Sequence, residues 1–289
     1  MELPTFAPPI TSPYLVTARP RQWVKNVLVF AAPPAAGAVV RPANVVALVA
    51  FVLASAATYF VNDAVDADAD RRHPVKSRRP VALGAIPVRA AWRTGLGLTV
   101  TAVAVAAAVG PALAGCVAAY LALTFAYNLG LKRVAVVDIL AVAGGFLLRT
   151  AGGSVAAGTP MSNWFLLTAA LGSLFLVTGK RLGELRRDRT GRAVLSAYTL
   201  PWLQQTFTMT LTGTVIAYAC WAFKFPGTDA FLPLLGLSLV PVLAGLLRYS
   251  LLVAQGDGEA PENLLASDRF LLVTGGVWVA MATVAIYFG

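Results

Sequence analysis

The sequence predicts an all-α integral membrane protein, a single bundle of nine transmembrane helices whose N-terminus lies in the cytoplasm. Three observations lead there. Of 289 residues, 58% are hydrophobic and only 12% charged, about half the share of charge that coats a soluble domain. Mean hydropathy is +0.72. Apolar stretches recur along the chain at lengths that suit about 20 residues per bilayer crossing. The cations are also partitioned: twenty of the 23 Lys and Arg fall on one side of those crossings, against Arg41 and Lys224 on the other, with Arg149 inside a span. That asymmetry places the rich side in the cytoplasm. An ordinary soluble enzyme is excluded, and with nine crossings the C-terminus falls outside.

The elements follow in order. The first twenty or so residues carry Pro4, Pro8, Pro9 and Pro13 without a basic start and apolar run; they read as a cytoplasmic lead, not a signal peptide. The first span, 24–40, starts behind the interfacial Trp23 and is interrupted by Pro33 and Pro34, so it is expected to be kinked or partly re-entrant. Spans at 43–63, 88–109, 112–129, 135–157, 161–180, 200–223, 231–252 and 270–288 follow. Outside connections are short, whereas cytoplasmic loops around 64–87 and 181–199 are long and are expected to cap the functional site. Residues 1–289 read as one domain. The net charge of +10 points to cytoplasmic loops and anionic lipid head groups, with no nucleic-acid partner. Cys116 and Cys220 sit in apolar runs and suggest no disulfide framework. Oligomeric state stays open, a homo-oligomer included.

The second span runs directly into Asn62-Asp63-Ala64-Val65-Asp66-Ala67-Asp68-Ala69-Asp70. On an ideal helix with Asn62 at the origin, Asp66, Asp70 and Asp63 fall at about 40°, 80° and 100°, one face, while Asp68 falls opposite. Like charges so spaced repel and need a counterion. Hard oxygen donors suit Mg²⁺, which takes one or two carboxylates and leaves its other positions to water and substrate phosphates. The alternative is a solvated acidic helix end, or carboxylates neutralised by Arg71, Arg72, Arg78 and Arg79. Just downstream, His73 to Pro80 supplies Lys76, Arg78 and Arg79. Metal followed by a basic loop is what a diphosphate requires, although a basic loop also sets topology. His73, the chain's single histidine, reads as a loop residue.

This stretch, Asn62-Asp63-x-x-Asp66-x-x-x-Asp70 with Arg79-Pro80 and Gly84 behind it, resembles the first aspartate-rich motif of the UbiA superfamily of intramembrane prenyltransferases, and the nine spans match that architecture. The resemblance implies that Asp63, Asp66, Asp70 and Asn62 hold Mg²⁺ on a donor diphosphate, with Asp63, Asp66 and Asn62 catalytic. It also implies a multi-pass protein of the plasma (inner) membrane with its site facing the cytoplasm.

The chain departs from ordinary members where a second aspartate pair is expected. It carries Lys180-Arg181-Leu182-Gly183-Glu184, followed by Asp188. On a helix Lys180, Arg181, Glu184 and Asp188 share one face, now of mixed charge. A second metal cluster is thereby disfavoured and an additional anionic group favoured. Near the membrane entrance Arg19, Arg21 and Lys25, with Gln22 and Asn26, offer donors, or form a simple interfacial anchor. Together with Pro261-Glu262 and Asp268-Arg269, these features resemble the branch of the superfamily that moves 5-phosphoribose from phosphoribosyl diphosphate to decaprenyl (polyprenyl) phosphate, for cell-wall arabinan precursors. Such a site must neutralise three anionic groups, and one carboxylate cluster plus extra Lys and Arg answers that demand. Substrate-binding residues implied are Gln22, Lys25, Lys76, Arg78, Arg79, Tyr127, Lys132, Lys180, Arg181, Glu184 and Asp268.

Arg149 is costly inside a bilayer, so it is expected to face the bundle interior as a substrate contact or as partner of a buried carboxylate. Asp138 is expected to pair with Lys132 or Arg133. The runner-up activity is UbiA-type transfer of a polyprenyl group from its diphosphate to an aromatic acceptor. A transporter is disfavoured, because the charges gather at one membrane face instead of its middle.

Overall fold

The computed structural model describes residues 12–187, 193–225, 234–258 and 260–288. Its helices are α1 (Pro13–Ala18), α2 (Ala32–Ala35), α3 (Pro42–Val65), α4 (Ala67–Arg71), α5 (Val88–Ala107), α6 (Pro111–Leu129), α7 (Val137–Ala157), α8 (Asn163–Arg187), α9 (Leu200–Phe223), α10 (Leu234–Leu237), α11 (Leu239–Gln255), α12 (Pro261–Ser267) and α13 (Arg269–Tyr287). A long 3₁₀ segment, Pro20–Phe30, joins α1 to α2. Among the described residues, eight helices are long and apolar enough to cross a membrane: α3, α5, α6, α7, α8, α9, α10 with α11, and α13. They coincide with eight of the nine expected spans.

The first expected span, 24–40, is not a continuous α-helix. Residues 20–30 wind as 3₁₀, α2 makes one turn, and the chain leaves helix before Pro42. Pro33 and Pro34 explain the break, because each lacks an N–H and its ring collides with the carbonyl four residues back. The segment still runs the depth of the bundle. At one end Arg19 meets Asp63; at the other, Trp221 Nε1 donates to the Ala35 carbonyl at 3.3 Å and the Tyr287 hydroxyl to that of Ala38 at 2.7 Å. Eleven residues of 3₁₀ rise about 22 Å, most of a hydrocarbon core.

Helix α3 starts cleanly, with Pro42 in the first turn and a reciprocal bond between the Arg41 backbone and the Asn44 side chain. It packs along α5 and α6, while α8 pairs with α9 and α7 joins the two halves. Small residues allow the closest approaches. A Cβ on Gly153 would lie 1.9 Å from the Val29 carbonyl oxygen, and one on Gly152 would lie 2.4 Å from the Phe51 ring. Asn44 closes that junction from α3, donating to the Gly153 carbonyl at 2.8 Å. Thus Gly152 and Gly153 serve close packing, which fixes the 3₁₀ segment against α7. Cys116 and Cys220 are free thiols.

Candidate active site

The ends of α3, α6, α8 and α11, the starts of α7 and α13, and the short α4 and α12 gather at one end of the bundle, together with the N-terminal start of the 3₁₀ segment. Most of the expected site residues converge here. Helix α3 ends at Asp66, whose backbone (φ −89°, ψ 4°) leaves the helical region before α4 resumes. That break splits the acidic face in two. Asp63 and Asp70, both buried, turn toward Arg79: its Nη1 lies 3.2 Å from Asp63 Oδ1 and 2.7 Å from Asp70 Oδ2. Arg19 adds a 2.5 Å contact to the same Asp63 oxygen, and Asn62 Nδ2 touches it at 3.4 Å. Asp66 points instead to Lys132, whose Nζ lies 2.8 and 2.9 Å from its two oxygens. Asp68 is exposed and pairs with Arg71, as its opposite face implies.

The carboxylates are therefore held by cations from three parts of the chain: Arg19, the stretch that carries Arg71 and Arg79, and Lys132. Among the described residues no three acidic or Cys/His side chains gather closely enough to hold a metal by themselves. The donor set nevertheless fits Mg²⁺. It offers hard carboxylate oxygens with an amide oxygen beside them, and a single positive centre, Arg79 Nη1, already bridges two of the carboxylates. An ion that needs only one or two protein carboxylates and completes its shell with phosphate oxygens matches this arrangement.

A second polar group is built on α7 and α8. Arg181, 2% exposed, donates through Nε to Asp138 Oδ2 at 2.7 Å, through Nη1 to Glu184 Oε2 at 2.8 Å and through Nη2 to the Tyr127 hydroxyl at 3.3 Å. Asp138 also receives the Tyr198 hydroxyl, which accepts the Val136 N–H at 2.6 Å. Val136 holds φ 69°, a strained conformation for a β-branched residue that persists only where its surroundings fix it. Asp138 thus pairs with Arg181 and not with Lys132 or Arg133. The expectation that Arg181 and Glu184 stand open to a substrate meets a locked pair. Lys180 next door is half-buried and makes no ion pair among the described residues. Asp188 lies outside the described residues.

A third group joins the 3₁₀ segment to α12. Gln22 Nε2 donates to Glu262 Oε1 at 3.0 Å, and Lys25 Nζ lies 3.6 Å from the same oxygen. Burial raises the Glu262 carboxyl, but Lys25, its own backbone N–H, Gln22 and Lys180 outweigh it and hold it below the ordinary value of 4.5. Glu262 was not among the expected site residues; its signal in the sequence is a proline-initiated acidic turn just before the last span.

The remaining expected residues are placed apart. Asp268 caps α13, accepting from the Leu271 N–H at 3.0 Å, and pairs with Arg248 at 2.8 Å. Arg78 is exposed on the turn Lys76–Arg78. His73 Nδ1 accepts from the N–H groups of Val75 and Lys76, a loop role as expected. Arg149 faces the interior, 7% exposed, but its partners are neutral: Asn26 at 2.6 Å, the Gly145 carbonyl at 2.9 Å, Ser55 at 3.2 Å and Tyr120 at 2.7 Å. Ser55 precedes Asp63 by eight residues, so this network sits about 12 Å below the acidic cluster.

Beneath α12 an apolar cavity of about 360 Å³ opens between α8, α9, α11 and α13, lined by Phe175, Thr214, Leu246, Tyr249, Leu265 and Trp278 among others. The buried Tyr249 hydroxyl beside it has no hydrogen-bond partner among the described residues.

Residues 27–275 match the model of the UbiA prenyltransferase family. The chain is 43% identical over 283 residues to a decaprenyl-phosphate phosphoribosyltransferase of Corynebacterium glutamicum, covering 93% of this chain and 85% of that one. It is 42% identical to the protein of the same name from Mycobacterium tuberculosis, over 94% and 93% of the two chains. In fold it is similar to a UbiA homologue from Archaeoglobus fulgidus bound to DMAPP and Mg²⁺, with a TM-score of 0.74 at 19% identity, covering 95% of this chain and 99% of that one.

Proposed function

The chain belongs to the UbiA prenyltransferase family, and from that membership and from similar relatives named decaprenyl-phosphate phosphoribosyltransferase we propose that it transfers 5-phosphoribose from phosphoribosyl diphosphate to decaprenyl phosphate, releasing diphosphate. The observation that carries the reading is the substitution of cations for a second acidic cluster. Lys180 stands beside the Asp138–Arg181–Glu184 network and within electrostatic range of Lys25 and Glu262. A site so built binds phosphate groups beyond the leaving diphosphate.

Asp63, Asp66 and Asp70, with Asn62, would hold Mg²⁺. Held there, it would supply positive charge to offset the negative charge of the leaving diphosphate. Arg19, Arg79 and Lys132, which pair with these carboxylates without ligand, are positioned to take phosphate oxygens. The bond from the ribose anomeric carbon to the diphosphate breaks and one to the acceptor phosphate oxygen forms. The acceptor is already ionised, so no general base is required. Lys180, Gln22 and Lys25 meet substrate phosphates, while Arg181, Glu184 and Tyr127 keep the end of α8 rigid. Lys76 and Arg78 add positive potential at the rim, and Arg149 adds it from below. The cavity under α12 takes the first units of the lipid tail, which needs apolar walls.

With the 3₁₀ segment as a ninth crossing, the N-terminus and this site face the cytoplasm and the protein lies in the plasma membrane. The product enters arabinan precursor synthesis for the cell wall, and assembly into a homo-oligomer is compatible with the broad lipid-facing surface. The test is to incubate membranes containing the protein with Mg²⁺, labelled phosphoribosyl diphosphate and polyprenyl phosphate. Label is expected in the lipid phase; label arriving only from a prenyl diphosphate plus an aromatic acceptor overturns the reading in favour of prenyl transfer.

A further inference from the structure

Glu262 is an oddity where it stands. It is a carboxylate between Lys25 and Lys180, in the part of the site that the phosphoribosyl-transfer reading gives to phosphates. A carboxylate accepts hydrogen bonds and cannot bind phosphate oxygens; for a substrate made only of phosphate and hydrocarbon it would be a competitor. Its two oxygens are not used alike. Oε1 takes both the Gln22 amide at 3.0 Å and the Lys25 ammonium at 3.6 Å. The carboxylate also accepts from its own backbone N–H, but no other residue among the described ones donates to Oε2, and the side chain keeps 19% of its surface open.

The carboxylate is therefore fixed on one side and available on the other. Pro261 and the first turn of α12 fix its backbone, and the neighbouring cations keep it charged despite its burial. What such a group receives best is a pair of hydroxyls, as acidic side chains receive ribose hydroxyls in nucleotide sites. Of the two candidate donors, phosphoribosyl diphosphate carries a vicinal diol and a prenyl diphosphate carries none. We propose that Glu262 binds the ribose 2- and 3-hydroxyls of the donor and thereby selects a phosphoribosyl over a prenyl diphosphate; this rests on the phosphoribosyl-transfer reading. Gln22 and Lys25 are then positioning residues for that carboxylate as well as phosphate contacts.

The test compares wild type with Glu262→Gln, which keeps an acceptor for Gln22 and the shape of the side chain. Two donors are used with polyprenyl phosphate and Mg²⁺: phosphoribosyl diphosphate and its 2,3-dideoxy analogue. Losing a charged partner for the diol is expected to cut kcat/KM for the ribosyl donor about a hundredfold, while the dideoxy donor is equally poor with both proteins. Equal losses for both donors, no loss, or better use of the ribosyl donor by Glu262→Gln each overturn the proposal. Binding gives a second readout, using ribose 5-phosphate as probe on the Asp66→Ala background. Affinity should fall about tenfold on adding Glu262→Gln, and 2,3-dideoxyribose 5-phosphate should show no such difference. Ribose 5-phosphate that binds equally to both proteins overturns the diol site. A protein that binds it through Glu262 yet transfers no phosphoribose sinks the transfer reading instead.

Discussion

Lys180 and Arg181 are neighbours of the same charge, and the structure gives them opposite duties. Arg181 is enclosed by Asp138, Glu184 and Tyr127, so Arg181→Met leaves two buried carboxylates uncompensated. A loss of about 3–5 kcal/mol is expected, read as a lower melting temperature in detergent. Lys180→Met should leave melting unchanged and raise KM for a phosphorylated substrate, because no ion pair among the described residues depends on it. Equal melting temperatures for the two variants would reverse this division of roles. Asp66→Ala should reduce transfer by at least about a hundredfold while the protein still elutes as a folded species; full activity would remove the carboxylates from the chemistry. At this scale the sequence was informative about which side chains lie near one another along the chain. The spacing of Asn62, Asp63, Asp66 and Asp70 brought them to one helix face. It also offered Arg79 as a neutralising cation, but it could not show that the helix breaks at Asp66, nor that Arg19 and Lys132 arrive from distant segments to join Arg79 on the carboxylates. Long-range pairing leaves no local period to read.

Among the described glycines Gly153 leaves the least room for a Cβ, and the junction between the 3₁₀ segment and α7 depends on it. Gly153→Ala puts a methyl 1.9 Å from the Val29 carbonyl, and neither backbone can yield without moving a whole element. Overpacking of about 1–3 kcal/mol or more is expected, visible as reduced yield and melting temperature. Gly144→Ala is the control: its new Cβ would meet only the flexible end of Leu123, at 3.1 Å. A Gly153→Ala protein as stable as Gly144→Ala would mean that the segment is not pinned there. Hydropathy located eight of the spans because an apolar run of sufficient length has few alternatives in a bilayer. It also marked 24–40 as an apolar stretch, but length and polarity do not specify helical pitch, and only Pro33 and Pro34 signalled the break. Helix α12 went unread because seven residues carry too little periodicity to separate from a loop.

For the whole molecule, the partition of charge gives a topology that labelling can check. In a background with Cys116 and Cys220 replaced, a cysteine at Ser77, on the turn between α4 and α5, should react with an impermeant thiol reagent only in inside-out vesicles. One at Ala108, where α5 ends, should react only in intact cells. The reverse pattern would invert the protein and move its acidic end to the outer face. Crossing count and orientation are linked, and both depend on how the first segment traverses. Its 3₁₀ winding has a consequence for the site beyond the distance covered. With three residues per turn, positions three apart stand in a straight column, so Gln22 and Lys25 point the same way and meet a single oxygen of Glu262. An α-helix would fan those side chains about 60° apart. The column is therefore sensitive to sequence length in units of three. Inserting one residue between Lys25 and Pro33 turns both donors away from α12 by about 120°, whereas inserting three restores their direction and displaces them by one step of about 6 Å.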